Sequence, residues 1–255
     1  MSEPIRWPAE AIWERVAPQL PGFSVEIVPA IDSTNTELMR RARDGQCDPV
    51  LLVAQTQTAG RGRLGRAWHS AAGDSLTFSL GLPLAPPDWS GLSLAVGLSL
   101  AKSLHPAIGL KWPNDLYWQG RKLAGILIET ASIGAQRFAV IGVGLNISAP
   151  LADGLATAPA GLRDIEPGLD APLALARVAP ALVEAVLAFE STGFAPLQRA
   201  FNERDVLKDR AVSLSDGRHG TAGGVDAHGA LLVHTANGLQ RVSTAEVSVR
   251  PSAPG

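Results

Sequence analysis

Apolar residues recur at helical spacing in four stretches of the chain and at strand spacing in many more. Ile12, Val16 and Leu20 form one short stripe, followed by an apolar run at 23–28 that predicts a strand. Ser33 opens a second helix running to Arg43, with a Thr34…Glu37 capping-box spacing and Gly45 as its stop. Val50 to Gln57 and 75–82 predict strands, separated by a loop of glycines and arginines over 60–73. Leu92 to Leu104 is apolar almost all round and predicts a buried helix. Three strand-like runs, 108–112, 122–130 and 137–147, predict a meander of hairpins. The stretch 148–170 is irregular, and Asp170-Ala171-Pro172 caps a helix with the stripe Leu175, Val178, Leu182, Val186 and Phe189. After about residue 209 the texture changes to short alternating runs punctuated by Asp216-Gly217, His228-Gly229 and Asn237-Gly238, which are hairpin turns. The pattern predicts an α+β domain over 1–208 and a small β-barrel over 209–255.

Composition narrows the class. At 46% hydrophobic and 18% charged, the 255 residues exclude a disordered chain and are enough to bury a core without staples. A net charge of −2 argues against bulk attraction to nucleic acid or an anionic membrane. The N-terminus lacks a signal-peptide pattern, and Leu92 to Leu104 is too short to span a bilayer, so a cytoplasmic protein is expected. The single cysteine, Cys47, suits a reducing compartment.

Three segments carry candidate chemistry. The first, 60–65, reads Gly-Arg-Gly-Arg-Leu-Gly, a literal match to the dinucleotide fingerprint. No helix opens after it and no acidic residue follows about 20 positions on, so the dinucleotide reading fails. Arg61, Arg63 and Arg66 repel one another unless an anion neutralises them, and Gly60 lets backbone N–H groups approach a ligand. An anion-binding loop carrying Trp68 and a solvated basic loop are the two readings. The second segment is Lys111-Trp112-Pro113-Asn114-Asp115, which is ordinary turn chemistry or a site. Of 22 basic residues only four are lysines, and a hairpin would place Lys111 and Lys122 on adjacent strands flanking Asp115. The third is Gly142-Val143-Gly144-Leu145-Asn146, where glycines inside an apolar strand mark a bulge or the approach of a ligand. The five histidines show no metal-ligand spacing and no partner for a serine nucleophile, and no metal site is expected.

Taken together, DSTN at 32–35, QTAGRGRLGRAW at 57–68, KWPND at 111–115, RKLAGIL at 121–127 and GVGLN at 142–146 resemble the biotin protein ligase family. The resemblance implies a mixed, largely antiparallel sheet with helices, like class II synthetases, and a C-terminal Src-homology-like barrel. It implies a reaction in which biotin and ATP, with Mg²⁺, give biotinyl-5′-AMP, after which a lysine of a biotin carrier domain of a biotin-dependent carboxylase takes the biotin. By resemblance, Ser33, Thr34, Asn35, Gln57, Gly60, Arg61, Trp68, Lys122, Gly125 and Gly144 bind biotin. Arg61, Arg63, Arg66, Trp68, Lys111, Asn114, Lys122, Asn146 and Arg250 bind the nucleotide, and Lys122, Arg61, Arg63 and Asp115 are catalytic. Asp115 receives the acceptor lysine's proton or binds metal. Leu155 stands where some members place an aromatic against adenine, and Thr244-Ala245-Glu246 departs from a Gly-Glu turn. The roughly thirty residues before Asp32 are too few for the winged helix of repressor relatives, so no DNA partner is expected, and the chain is expected to be a monomer or a weak homodimer.

Overall fold

The computed structural model describes residues 5–150, 158–243 and 249–251. Leu155 and residues 244–246 lie outside them.

Seven strands form one mixed sheet: β1 (Ser24–Ile31), β2 (Val50–Gln57), β3 (Ser75–Pro83), β4 (Gly109–Lys111), β5 (Asp115–Trp118), β6 (Arg121–Ile133) and β7 (Gln136–Asn146), in the order β1-β2-β3-β7-β6-β5-β4. Only β1 and β2 are parallel, and the crossover such a pair needs is helix α2 (Thr34–Arg43). The cap of α2 differs from the expected box. Ser33, not Thr34, is the cap, accepting from the Thr36 N–H, while Glu37 turns outward to Arg40 and Arg41. Gly45 then ends the segment at φ +85°, a left-handed turn that suits glycine.

The two faces of the sheet are covered unequally. Leu51, Val53, Leu76, Phe78, Leu80 and Ile141 point to a large core shared with α1 (Ala9–Val16), α3 (Leu92–Leu104) and α4 (Ala171–Thr192). The expected stripe on α4 is buried throughout, and Asp170 Oδ1 caps it at the Leu173 N–H, 2.8 Å away. This 22-residue helix is long and apolar enough to cross a bilayer, yet it packs along α3. On the opposite face Val50, Leu52, Phe138 and Val140 meet Leu38, Met39 and Ala42 of α2 alone. One helix cannot cover seven strands, so the face beyond the α2 N-terminus is left for a pocket.

The meander holds one strand more than the pattern predicts. Asp115–Trp118 intervenes, so Lys111 on β4 and Lys122 on β6 are not on adjacent strands. Both instead flank β5, where Lys111 is registered with Asp115 and Lys122 with Tyr117. A register shift between Leu116 and Tyr117 re-aims the side chains at this end of β5.

After α5 (Gln198–Asn202), the chain lays residues 204–206 along the free edge of β4. Leu110 N–H donates to Arg204 O at 2.8 Å, and Val206 N–H to Leu110 O at 2.9 Å. Asp205 is half-buried at this seam with its Oδ2 shut off from solvent, and desolvation holds its carboxyl up at about 6, against the Leu207 N–H bond that favours the anion. The second sheet follows: β8 (Ala211–Leu214), β9 (His219–Val225), β10 (Leu231–Thr235), β11 (Gly238–Val242) and β12 (Val249–Pro251), in the order β11-β10-β9-β8-β12. It is antiparallel throughout, with Asp216-Gly217 and Asn237-Gly238 in its hairpin turns. The fold is α+β with an appended β-unit.

Candidate active site

Strand parity decides what the pocket is made of. Thr77 and Ser79 on β3, Gly142 and Gly144 on β7, and Gly125 and Leu127 on β6 are cross-strand neighbours on the face that α2 only partly covers. With the α2 N-terminus at one end, the 111–115 turn at the other and the 60–73 loop above, the three glycines and Leu127 of this row enclose a cavity of about 270 Å³. Every candidate except Gly60 and Arg250 lines it. Gly60 lies just behind, where a Cβ would meet Trp68 O at 2.4 Å. Arg250 is registered with Ser213 on β12, its side chain outside the described residues.

The end nearest α2 is uncharged and crowded with hydrogen-bonding groups. Gln57 Oε1 accepts from the Thr34 N–H at 2.7 Å and from Thr34 Oγ1 at 3.1 Å. Ser33 and Thr34 are 3% exposed, so these contacts are desolvated. The Asn35 amide turns behind the pocket, donating to Leu127 O at 3.1 Å and to Glu129 Oε2 at 3.0 Å.

The other end is charged. Lys122 Nζ lies 2.7 Å from Asp115 Oδ1. The Lys122 backbone is fixed independently of its ammonium: its N–H donates to Ala158 O at 3.0 Å, and its carbonyl accepts from the Ala160 N–H at 2.8 Å. Asn146 Nδ2 donates to Ala160 O at 3.0 Å, so this amide braces the same segment. Asn114 is bound through Nδ2 to Ile126 O at 2.7 Å, and its Oδ1 accepts Arg63 Nη1 at 3.2 Å. Burial lowers the Arg63 pKa from its ordinary value; the Asp115 charge pulls it back up and Arg66 pushes it down further. An arginine stays cationic through such a shift. Lys111 is drawn aside over the Tyr117 ring, 5.4 Å from its centroid.

The loop folds over these groups as a tight hairpin. Gly62 N–H donates to Arg66 O at 2.7 Å and Trp68 N–H to Gly60 O at 2.9 Å, around a tip where exposed Leu64 sits at φ +56°. Trp68 drops onto the glycine floor. A Cβ on Gly144 would lie 2.2 Å from its Cε2, and one on Gly125 3.5 Å from its Cζ3 and 3.4 Å from Lys122 Nζ. The indole Nε1–H is buried with no acceptor among the described residues. A buried donor of that kind is expected to find a partner in a ligand.

Two residues that brace this site were not among the sequence candidates. Ser79 continues the Ser75-Thr77 row of an alternating strand, which ordinarily marks a solvated face, yet it is 0% exposed. Glu129 closes the apolar run 126–128, and its carboxylate takes Arg61 Nη2 at 3.2 Å. A carboxylate ending such a run is the one clue that pointed to it.

Residues 27–146 match the biotin/lipoate A/B protein ligase family, and residues 215–250 match the biotin protein ligase C-terminal domain. The bifunctional ligase/repressor BirA of Escherichia coli is 34% identical over 249 residues, 93% of this chain and 77% of its own length. The chain belongs to the biotin/lipoate A/B protein ligase family. Another member, the biotin–[acetyl-CoA-carboxylase] ligase of Paracoccus denitrificans, is 32% identical over 85% of this chain and 96% of its own length. Among solved members, the biotin protein ligase of Aquifex aeolicus in complex with biotin and ATP superposes with a TM-score of 0.76 at 27% identity, covering 89% of this chain and 99% of that one.

Proposed function

We propose that this chain is a biotin protein ligase that adenylates biotin with ATP and passes the biotinyl group to a lysine of a carboxylase carrier domain. One observation carries the reading: a single cavity holds a neutral, hydrogen-bonding end at Thr34 and Gln57 and a cationic end at Lys122 and Arg63. Biotin has that polarity, a neutral ring system with a ureido group and a carboxylate at the end of its tail.

In the first step a biotin carboxylate oxygen attacks the α-phosphorus of ATP, and the bond to pyrophosphate breaks. Two anions about 3.5 Å apart repel by roughly 5 kcal/mol at an effective dielectric near 20. Lys122, held by Asp115, and Arg63, held by Asn114, supply the opposing charge from fixed positions, so little reorganisation is needed as charge develops. Among the described residues no three His, Cys, Asp or Glu side chains cluster, and the cavity wall carries one carboxylate, Asp115. That donor set suits magnesium entering with the triphosphate, where it neutralises phosphate charge. Trp68 and the loop close over the mixed anhydride and exclude water, the competing nucleophile.

In the second step the acceptor amine attacks the biotinyl carbonyl carbon, and its bond to AMP breaks. The attacking ammonium must lose a proton, and Asp115 is the carboxylate placed to receive it. The family also contains lipoate ligases; the match of 215–250 to the biotin ligase C-terminal domain favours biotin. The use of ATP and of a carboxylase carrier domain is compatible with a cytoplasmic reaction.

The test is mass spectrometry of a carrier domain after incubation with the chain, biotin and Mg-ATP. A gain of one biotin, lost in Lys122→Ala, supports the reading. No gain with biotin but a gain with lipoate would assign the other branch.

A further inference from the structure

Ser79 and Glu129 take no part in the chemistry above, yet they join its two halves. Ser79 Oγ lies 2.6 Å from both Thr34 Oγ1 and Asn35 Oδ1, and its single proton serves one of them at a time. Asn35 passes the contact on, donating from Nδ2 to Glu129 Oε2 at 3.0 Å. The other carboxylate oxygen accepts Arg61 Nη2 at 3.2 Å, and Arg61 Nη1 lies 3.4 Å from Thr36 Oγ1. An unbroken polar chain thus runs from Thr34, at the neutral end, to an arginine of the loop.

One side of that chain cannot give. Asn35 is 4% exposed and wedged against Gly142, where a Cβ would come within 2.1 Å of its Oδ1. Glu129 is therefore aimed from the α2 side, and Arg61, half-exposed, is its movable partner. A partly buried carboxylate keeps its partners because losing one leaves charge poorly solvated.

We propose that Glu129 is a positioning residue that seats the 60–73 loop on the sheet through Arg61 and, through Asn35 and Ser79, ties that seating to Thr34. The inference rests on the ligase reading for what fills the pocket; the coupling itself is a property of the unliganded protein. It is tested on the full chain with trypsin, which cleaves after Arg61, Arg63 and Arg66. With Glu129→Gln, loop cleavage without ligands is expected to run about fivefold faster, at unchanged thermal midpoint. Thr36→Ala, which removes the other contact of Arg61, is expected to act in the same direction. In turnover, Glu129→Gln is expected to raise the KM for ATP about fivefold with kcat within twofold. Glu129→Asp, keeping the charge, is expected to recover part of the protection. Unchanged loop cleavage in both Glu129→Gln and Thr36→Ala overturns the proposal, as does faster cleavage matched by a lowered midpoint. A wild-type chain that biotinylates nothing while Glu129→Gln still frees the loop would sink the ligase reading and leave the coupling standing.

Discussion

The Trp112 indole, fully buried within the 111–115 turn, donates from Nε1 to Gly229 O at 3.0 Å across 117 residues of sequence. The small C-terminal sheet is thereby bonded to the residue that precedes Pro113, Asn114 and Asp115. Trp112→Phe keeps most of the ring and deletes the donor, leaving the Gly229 carbonyl buried without it. A loss of about 1–3 kcal/mol is expected. Thermal unfolding of the variant should start several degrees lower, and the KM for ATP should rise. An unchanged midpoint would show that the bond contributes nothing.

Asp115 sits 2.7 Å from Lys122, so two roles must be separated: holding the lysine, and taking a proton from the acceptor. With Asp115→Asn, transfer from preformed biotinyl-5′-AMP to the carrier is expected to slow by about 10²–10⁴, as for loss of a general base. Pyrophosphate release in the first step should fall far less. If single-turnover rates of both steps fall equally, Asp115 acts by holding Lys122.

Gly144→Ala places a methyl 2.2 Å from Trp68 Cε2, and the backbone beneath cannot retreat from the middle of a sheet. The indole must leave its seat, at an overpacking cost of about 1–3 kcal/mol. Calorimetry should show biotin binding weakened roughly tenfold, with altered tryptophan emission in the free protein. Wild-type affinity with wild-type emission would show that the indole does not rest there.

The Asp205 carboxyl has a folded pKa of about 6, raised by burial from the ordinary 3.8. The folded state therefore holds the proton more tightly than the unfolded one. The stability this confers is complete below pH 3.8 and is lost as the pH rises to about 6, a change of up to ~3 kcal/mol. Asp205→Asn keeps the acceptor oxygen and removes the titration. Its thermal midpoint is expected to match wild type near pH 4, to exceed it increasingly up to about pH 6, and to hold a constant margin above about pH 7. A constant offset across that range would contradict the assignment.

Most elements were legible because period and punctuation agreed. The α4 stripe ending at Phe189, the Asp170 cap and the Asn237-Gly238 turn all rest on contacts within a few residues. What escaped depended on partners distant in sequence. Strand β5 is four residues between a turn and a hairpin, too short to show a period, and without it Lys111 and Lys122 were expected to be neighbours. The alternation in β3 correctly signalled a strand, but Ser79 of its polar row is buried against α2 rather than facing water. Thr34 and Ser33 compete for one cap by spacing alone; the strand leading in decides for Ser33. The family's motifs, by contrast, name almost every side chain lining the cavity, because nearly all come from short contiguous segments.

Gly125 faces Gly144 across β6 and β7, and Leu127 faces Gly142, so much of the pocket floor is bare main chain. Its depth is set by the missing side chains, and a replacement at Gly125, Gly142 or Gly144 can only raise it, into Lys122, Asn35 or Trp68. A redesigned or drifting site can thus gain room only from above or from the ends, through the loop and the two turns. The floor is a fixed gauge against which any new substrate must be cut to fit.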